Sequence, residues 1–184
     1  MFNFFGKKTG GKKINDIVWA TEEYKLKGLV EEWKKSPGFI IVCWFEDTVR
    51  KLESIFQTEM NETVPVYTTR QLHSAIIKDK PLFFAEHYPL RKKEEELFEQ
   101  LPVEKITVYS ALNEPLFLHF GGEKIIQLMK QLGMNESESI KNDLITKAII
   151  RAQEKIEGKV SFEISAHSQK EWLEKNLAPS SAND

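Results

Sequence analysis

Phe39–Phe45 reads FIIVCWF, an unbroken apolar run closed by Gly38 before it and by Glu46 and Asp47 after it. A strand with one wet face alternates apolar and polar side chains. A run without alternation suits a strand buried on both faces, and such strands belong to parallel sheets covered by helices. This segment points to the α/β class.

The flanking sequence agrees. Thr21 to Lys35 has a helical period, with Leu26, Leu29, Val30 and Trp33 on one face and Thr21 as N-cap. Ser36-Pro37-Gly38 ends it. Glu46–Gln57 reads as a helix with Val49, Leu52 and Phe56 inward. Further strands are expected at 64–67, 82–85 and 104–110, with a short helix up to Ile77 and another from Pro89 to Gln100. Strands alternating with helices imply right-handed βαβ units and a mainly parallel sheet of about four strands. The chain then turns helical, at 123–132, 142–157 and around Trp172. The expected layout is a basic, disordered segment 1–13, one domain at 14–176 and a flexible tail 177–184. Within the domain, the sheet part is 14–112 and the helical part is 113–176.

The 184 residues suffice for one ordinary core, and 41% apolar with 29% charged residues fits a soluble globular chain. No apolar run approaches the roughly 20 residues of a membrane span. The lone Cys43, inside the apolar strand, implies no internal disulfide and a cytoplasmic setting. Lys7, Lys8, Lys12 and Lys13 concentrate positive charge at the start and leave a mildly acidic body, which argues against nucleic acid as a partner. Phe2, Phe4 and Phe5 beside these lysines are read as a tail rather than a membrane contact. The four histidines show no metal spacing, and no metal or cofactor is expected.

Residues 109–134, YSALNEPLFLHFGGEKIIQLMKQLGM, and 145–159, ITKAIIRAQEKIEGK, carry a resemblance. Leu112, Leu116, Phe120, Gly121, Ile125, Met129 and the Leu132-Gly133-Met134 triplet, then Thr146 to Ile149, Ala152, Gln153, Lys155 and Glu157, follow a recurring pattern. That pattern is similar to the end of the second motor domain of SecA, the preprotein translocase ATPases. Upstream, Glu86, His87 and Arg91 in AEHYPLRKKEEELFEQL loosely follow a further SecA segment. The resemblance implies a RecA-like or Rossmann-like three-layer fold with a C-terminal helical extension.

It also shows what this stretch does not carry. Gly6, Gly11 and Lys12 have the spacing of a phosphate loop, but Lys13 stands where Ser or Thr would hold Mg²⁺. The family's GRGTDI loop has no counterpart. Its arginine-rich QLRGRSGRQGD helix is replaced by EELFEQLPVEK, which has no arginine to stabilise a transferring phosphoryl group. The reading is a non-catalytic, protein-binding or regulatory module, with a SecA-like ATPase, the translocation machinery or a second copy as partner. Two alternatives stay open: an enzyme for a small anion, and a subunit completing an ATP site in trans. Ligands of doubly wound sheets bind outside the C-terminal strand ends. That rule selects Trp44, Glu46, Thr68, Thr69, Arg70, Glu86, His87, Arg91 and Ser110 as a candidate cleft. Ile125, Met129, Ile149, Ile150 and Trp172 are the candidate protein contacts. Ile150 lies off the inward stripe and needs cover from the tail around Trp172 or from another chain.

Overall fold

The computed structural model describes residues 12–78 and 80–177. The expectations for 1–11 and 178–184 lie outside the described residues. Five parallel strands form one sheet: β1 (Lys13–Trp19), β2 (Ile40–Cys43), β3 (Val66–Thr68), β4 (Leu82–Phe84) and β5 (Lys105–Ala111), in the order β1-β5-β4-β2-β3. The helices are α1 (Glu22–Lys35), α2 (Glu46–Met60), α3 (Ser74–Ile77), α4 (Arg91–Gln100), α5 (Pro115–Leu118), α6 (Gly122–Gln131), α7 (Asp143–Glu157) and α8 (Gln169–Leu177), with a 3₁₀ turn at Thr69–Gln71.

Successive residues of a strand point to opposite faces, and that alternation builds the three layers. Ile41, Cys43, Ala85 and Tyr109 pack with Leu29 and Val30 of α1 and Leu52 and Phe56 of α2. Ile40, Val42, Leu82, Phe84, Ile106 and Val108 pack on the opposite face with Ile77, Phe98 and Leu101. The FIIVCWF run is therefore apolar throughout because both of its faces are covered. The predicted N-cap is present, with Thr21 Oγ1 accepting from Tyr24 N.

The strand β1 was not among the expected strands; it adds a fifth to the mainly parallel sheet and begins at Lys13. It pairs with β5 from Lys13↔Lys105 to Trp19↔Ala111. Its outer edge is closed at one point by Ile140, which exchanges two backbone hydrogen bonds with Val18, at 3.0 and 2.7 Å. Asn15-Asp16 interrupts its apolar pattern, and Asp is a poor strand former. A buried partner, described below, compensates. Three smaller differences concern helices. The α4 helix begins at Arg91, after Pro89. The turn α5 was not expected. In α7, Ala148 is exposed while Gln153 is buried.

The C-terminal part folds back on the sheet. Val18, Ala20, Leu112, Met129 and Ile149 form one cluster outside β1. Phe45, Tyr88, Leu90, Leu116, Ile156 and Trp172 form another beyond the C-terminal strand ends. Between α5 and α6 the chain turns through Gly121, at φ +86°. Gly122 then sits where an added Cβ would lie 2.1 Å from the Leu112 carbonyl oxygen. Backbone cannot yield cheaply, so Gly122→Ala should destabilise by about 1–3 kcal/mol. Gly158→Ala, whose Cβ would meet nothing nearer than 3.6 Å, should stay within about 0.5 kcal/mol of wild type. Urea unfolding of the two variants measures both. Equal midpoints for Gly122→Ala and wild type would show that Gly122 does not approach the Leu112 carbonyl this closely.

Candidate functional site

Strand β2 leads outward to β3 on one side, and β4 lies on its other side, so the order reverses between β2 and β4. In an open parallel sheet that reversal opens a crevice at the strand ends. Here Glu86 occupies it. One carboxylate oxygen accepts from Trp44 N and Phe45 N, both at 3.0 Å, and the other from Thr48 Oγ1 at 2.7 Å. Burial pushes the Glu86 carboxyl up to about 7, against the pull of Lys25 and the Thr48 hydroxyl. Lys25 reaches in from α1, bonds the Ala85 carbonyl at 2.7 Å and pairs with Glu114. Burial alone would lower the Lys25 pKa, but Glu114 and Glu86 hold its charge and raise it.

A second buried cluster lies beside the first. His87 Nε2 is 3.0 Å from Asp16 of β1, and Nδ1 is 3.0 Å from Glu94 of α4. Thr146 of α7 donates to Asp16. Gln153 of α7 donates to Glu94 and to the Tyr88 carbonyl, both at 2.7 Å. Gln169 of α8 donates to the His87 carbonyl at 3.0 Å and accepts from Leu116 N at 2.8 Å. Burial would lower the His87 pKa, but Glu94 and Asp16 together lift it to about 10. Burial would likewise raise Asp16, yet the bond and charge of His87 hold it below its ordinary value.

These clusters revise the candidate cleft. Glu86, His87 and Ser110 are buried, at 4%, 2% and 0% exposure, so they do not line an open cleft. Ser110 Oγ has no hydrogen-bond partner among the described residues. Arg91 pairs with Glu95 and lines a separate groove of about 220 Å³ with Ile14, Phe98, Thr146 and Ile150. Trp44, Glu46, Thr68 and Arg70 do come together, joined by Ser165, Ala166 and His167, around a cavity of about 80 Å³. Thr69 is adjacent in sequence but is not part of that lining. A nucleotide-sized ligand needs roughly 300 Å³ or more.

The candidate contact surface is revised too. Met129, Ile149 and Trp172 are core residues of this chain. They are consumed in closing the C-terminal part onto β1 and the strand ends. Ile150 is half-buried in the groove beside α4, not under the segment around Trp172. Ile125 is exposed, and so are Leu128 and Leu132, which lie one helical turn and two turns further along the same face. Sequence reading missed Asp16, Lys25, Glu94, Glu114 and Gln153. Asp16 in a strand and Gln153 on an otherwise apolar stripe were the available signals.

Compared with known proteins, the chain matches no family model. It is similar to the protein translocase subunit SecA of Maridesulfovibrio salexigens, 46% identical over 56 residues, which is 30% of this chain and 7% of that protein. The SecA of Desulforapulum autotrophicum is 45% identical over 56 residues, 30% of this chain and 6% of that protein. That of Geobacter sp. (strain M21) is 42% identical over 59 residues, 32% and 6% respectively. The chain thus contains a SecA-related segment, and the match covers only a small fraction of these relatives' length. This local similarity is consistent with a link to protein translocation. Among the described residues no helix is long and apolar enough to cross a membrane.

The His87 cluster has a defined pH signature. Unfolded His87 titrates near 6.5 and folded His87 near about 10. Its stabilisation is therefore full below about pH 6.5 and is lost as the pH rises towards 10. Urea unfolding at about pH 7.5 and about pH 9.5 should show wild type losing stability across that window. His87→Gln leaves two buried carboxylates without their cation and should cost about 3–5 kcal/mol at neutral pH. Its stability should be flatter across the same alkaline window. A wild-type profile that is level there would mean that His87 is neutral in the folded state.

Proposed function

We propose that this chain is a non-catalytic protein-binding module of the protein translocation machinery, built on the scaffold of a SecA-like second motor domain. The observation that carries the reading is the Glu86 carboxylate in the strand-order reversal. An anionic ligand would need the Trp44 and Phe45 amides and the Thr48 hydroxyl, and the chain's own carboxylate already holds all three. Lys12 and Lys13 lead into a strand, whereas a phosphate loop leads into a helix. Of the two arginines suited to reach an outside phosphate, Arg91 is engaged by Glu95.

The binding face is α6. Gly122, Ile126 and Met129 turn towards the chain's own body, and Met129 packs there on Val18, Leu112 and Ile149. Ile125, Leu128 and Leu132 form a second apolar stripe about a quarter turn round the helix. They are 48%, 53% and 68% exposed. The polar face, with Glu123, Lys124, Gln127 and Lys130, is separate. An apolar arc wider than the core uses marks a protein contact. The partner we assign is a SecA-type ATPase, offering an apolar helix or groove to this stripe.

Two outcomes follow. Purified protein should leave ATP unhydrolysed with Mg²⁺ present; turnover abolished by changing Arg70 or Arg91 would overturn the non-catalytic reading. The chain should bind purified SecA from its own host in a direct two-component assay. Leu128→Asp or Leu132→Asp should weaken that binding at least about tenfold, because each buries a charge in an apolar contact, while circular dichroism stays unchanged. Unchanged affinity would move the contact elsewhere. Self-association that Leu128→Asp abolishes, with no SecA binding, would make a second copy the occupant.

A further inference from the structure

We infer that the buried Lys25–Glu86–Glu114 cluster is a latch worked by a single proton: it seals the crevice while it holds that proton, and it frees the turn into α5 when the proton leaves. The inference does not rest on the α6 contact.

The charges do not balance. Two carboxyl groups and one ammonium meet in a place that water does not reach: Glu86 and Glu114 are each 4% exposed, and Lys25 is 1% exposed. Fully ionised, the cluster would hold an uncompensated negative charge, which is costly. Its surroundings do not supply the missing cation. Glu22, also on α1, is a further acid and is paired by Lys51 at 3.1 Å. Cys43 of β2 is a thiol that burial and the Glu86 charge keep protonated. Thr48 of α2 and Gln169 of α8 are neutral. One added proton makes the cluster neutral, and two acids sharing one cation titrate as a pair. Burial accordingly raises both carboxyls, against the pull of Lys25.

Hydrogen bonding decides which acid moves. Glu86 is held by two amides and the Thr48 hydroxyl. Glu114 has one oxygen on Lys25, and its Oε2 is buried with no donor among the described residues. That oxygen carries a proton without giving up a bond. Ionised, it is a buried acceptor with nothing to accept, and its relief lies outside. Water is one residue away, because Asn113 is exposed and Pro115 half-buried. Turning Glu114 outward disturbs its carbonyl, which accepts from Leu118 N at 2.9 Å, and the Leu116 N bond to Gln169 at 2.8 Å. A carboxyl raised on folding stabilises fully below its ordinary value near 4.5 and loses that contribution as the pH rises through about 7.

The test uses the full chain with ¹³C in its glutamate carboxyl groups. The Glu86 and Glu114 signals are assigned by their loss in Glu86→Gln and Glu114→Gln, and both are followed from about pH 5 to about pH 9. One of the two should titrate near neutral pH. In either variant one acid faces one cation, so the midpoint of the remaining acid should move out of that range. Amide hydrogen exchange supplies the conformational readout. Between about pH 6 and about pH 8, protection of Leu116 and Leu118 should fall at least about tenfold more than that of α2 amides in wild type, and no more than α2 in Glu114→Gln. Three results would each overturn the latch: no titration of either carboxyl across the range, a neutral midpoint that persists in both variants, or protection that falls equally in α5 and α2. Should a variant fail to fold, its signal is assigned through bonds instead, and the wild-type titration and exchange still decide.

Discussion

Two buried cations hold the C-terminal edge of the sheet together. Lys25 stands among Glu114, Glu86 and the Ala85 carbonyl, and His87 stands between Asp16 and Glu94. An unpaired charge in such surroundings is costly, and removing one partner of a buried pair is more damaging than never having had it. The elements that supply these groups are therefore tied to one another. Lys25 connects α1 to β4 and to the turn before α5. His87 connects β4 to β1 and α4, and through Thr146 and Gln153 to α7. Gln169 extends the same network to α8.

This arrangement explains why, among the described residues, the crevice at the strand-order reversal is filled by the chain itself. Such a crevice gathers backbone amides, and in a nucleotide-binding domain those amides meet phosphate. Here Glu86 meets them, and a carboxylate held by two amides and a hydroxyl is an internal replacement for an anion. The 163–172 segment then closes the edge, with Glu163 accepting from Trp172 Nε1 at 2.9 Å and bonding Tyr88 and Lys93. On the outside lie the small cavity at Arg70 and the apolar stripe on α6.

Much of the fold was legible because apolar pattern and layer structure share one cause. The FIIVCWF run, the shorter runs at 82–84 and 105–111 and the amphipathic stretches between them are each visible from a few neighbouring residues. Strand β1 was not, because its ladder to β5 joins residues more than ninety positions apart and its Asp16 contradicts local strand preference. The site was partly legible. The strand-end rule brought Trp44, Glu46, Thr68 and Arg70 to one place, but it could not tell that Glu86 and His87 would turn inward. Residues that look alike in sequence, a charged group just after a strand, divide into rim and core only when their partners arrive from distant elements.

By itself the sequence determined the α/β class, the parallel strands from β2 to β5, the positions of the main helices and the presence of a SecA-related segment. These follow from periodicity and local residue order, which act over one or two turns. Only the tertiary structure decided that β1 exists, that Met129, Ile149 and Trp172 are core while Ile125, Leu128 and Leu132 face outward, and that the crevice is filled from within. Each of these depends on which surface a distant segment covers. Burial and charge pairing are properties of that packing, and no short stretch of residues contains them.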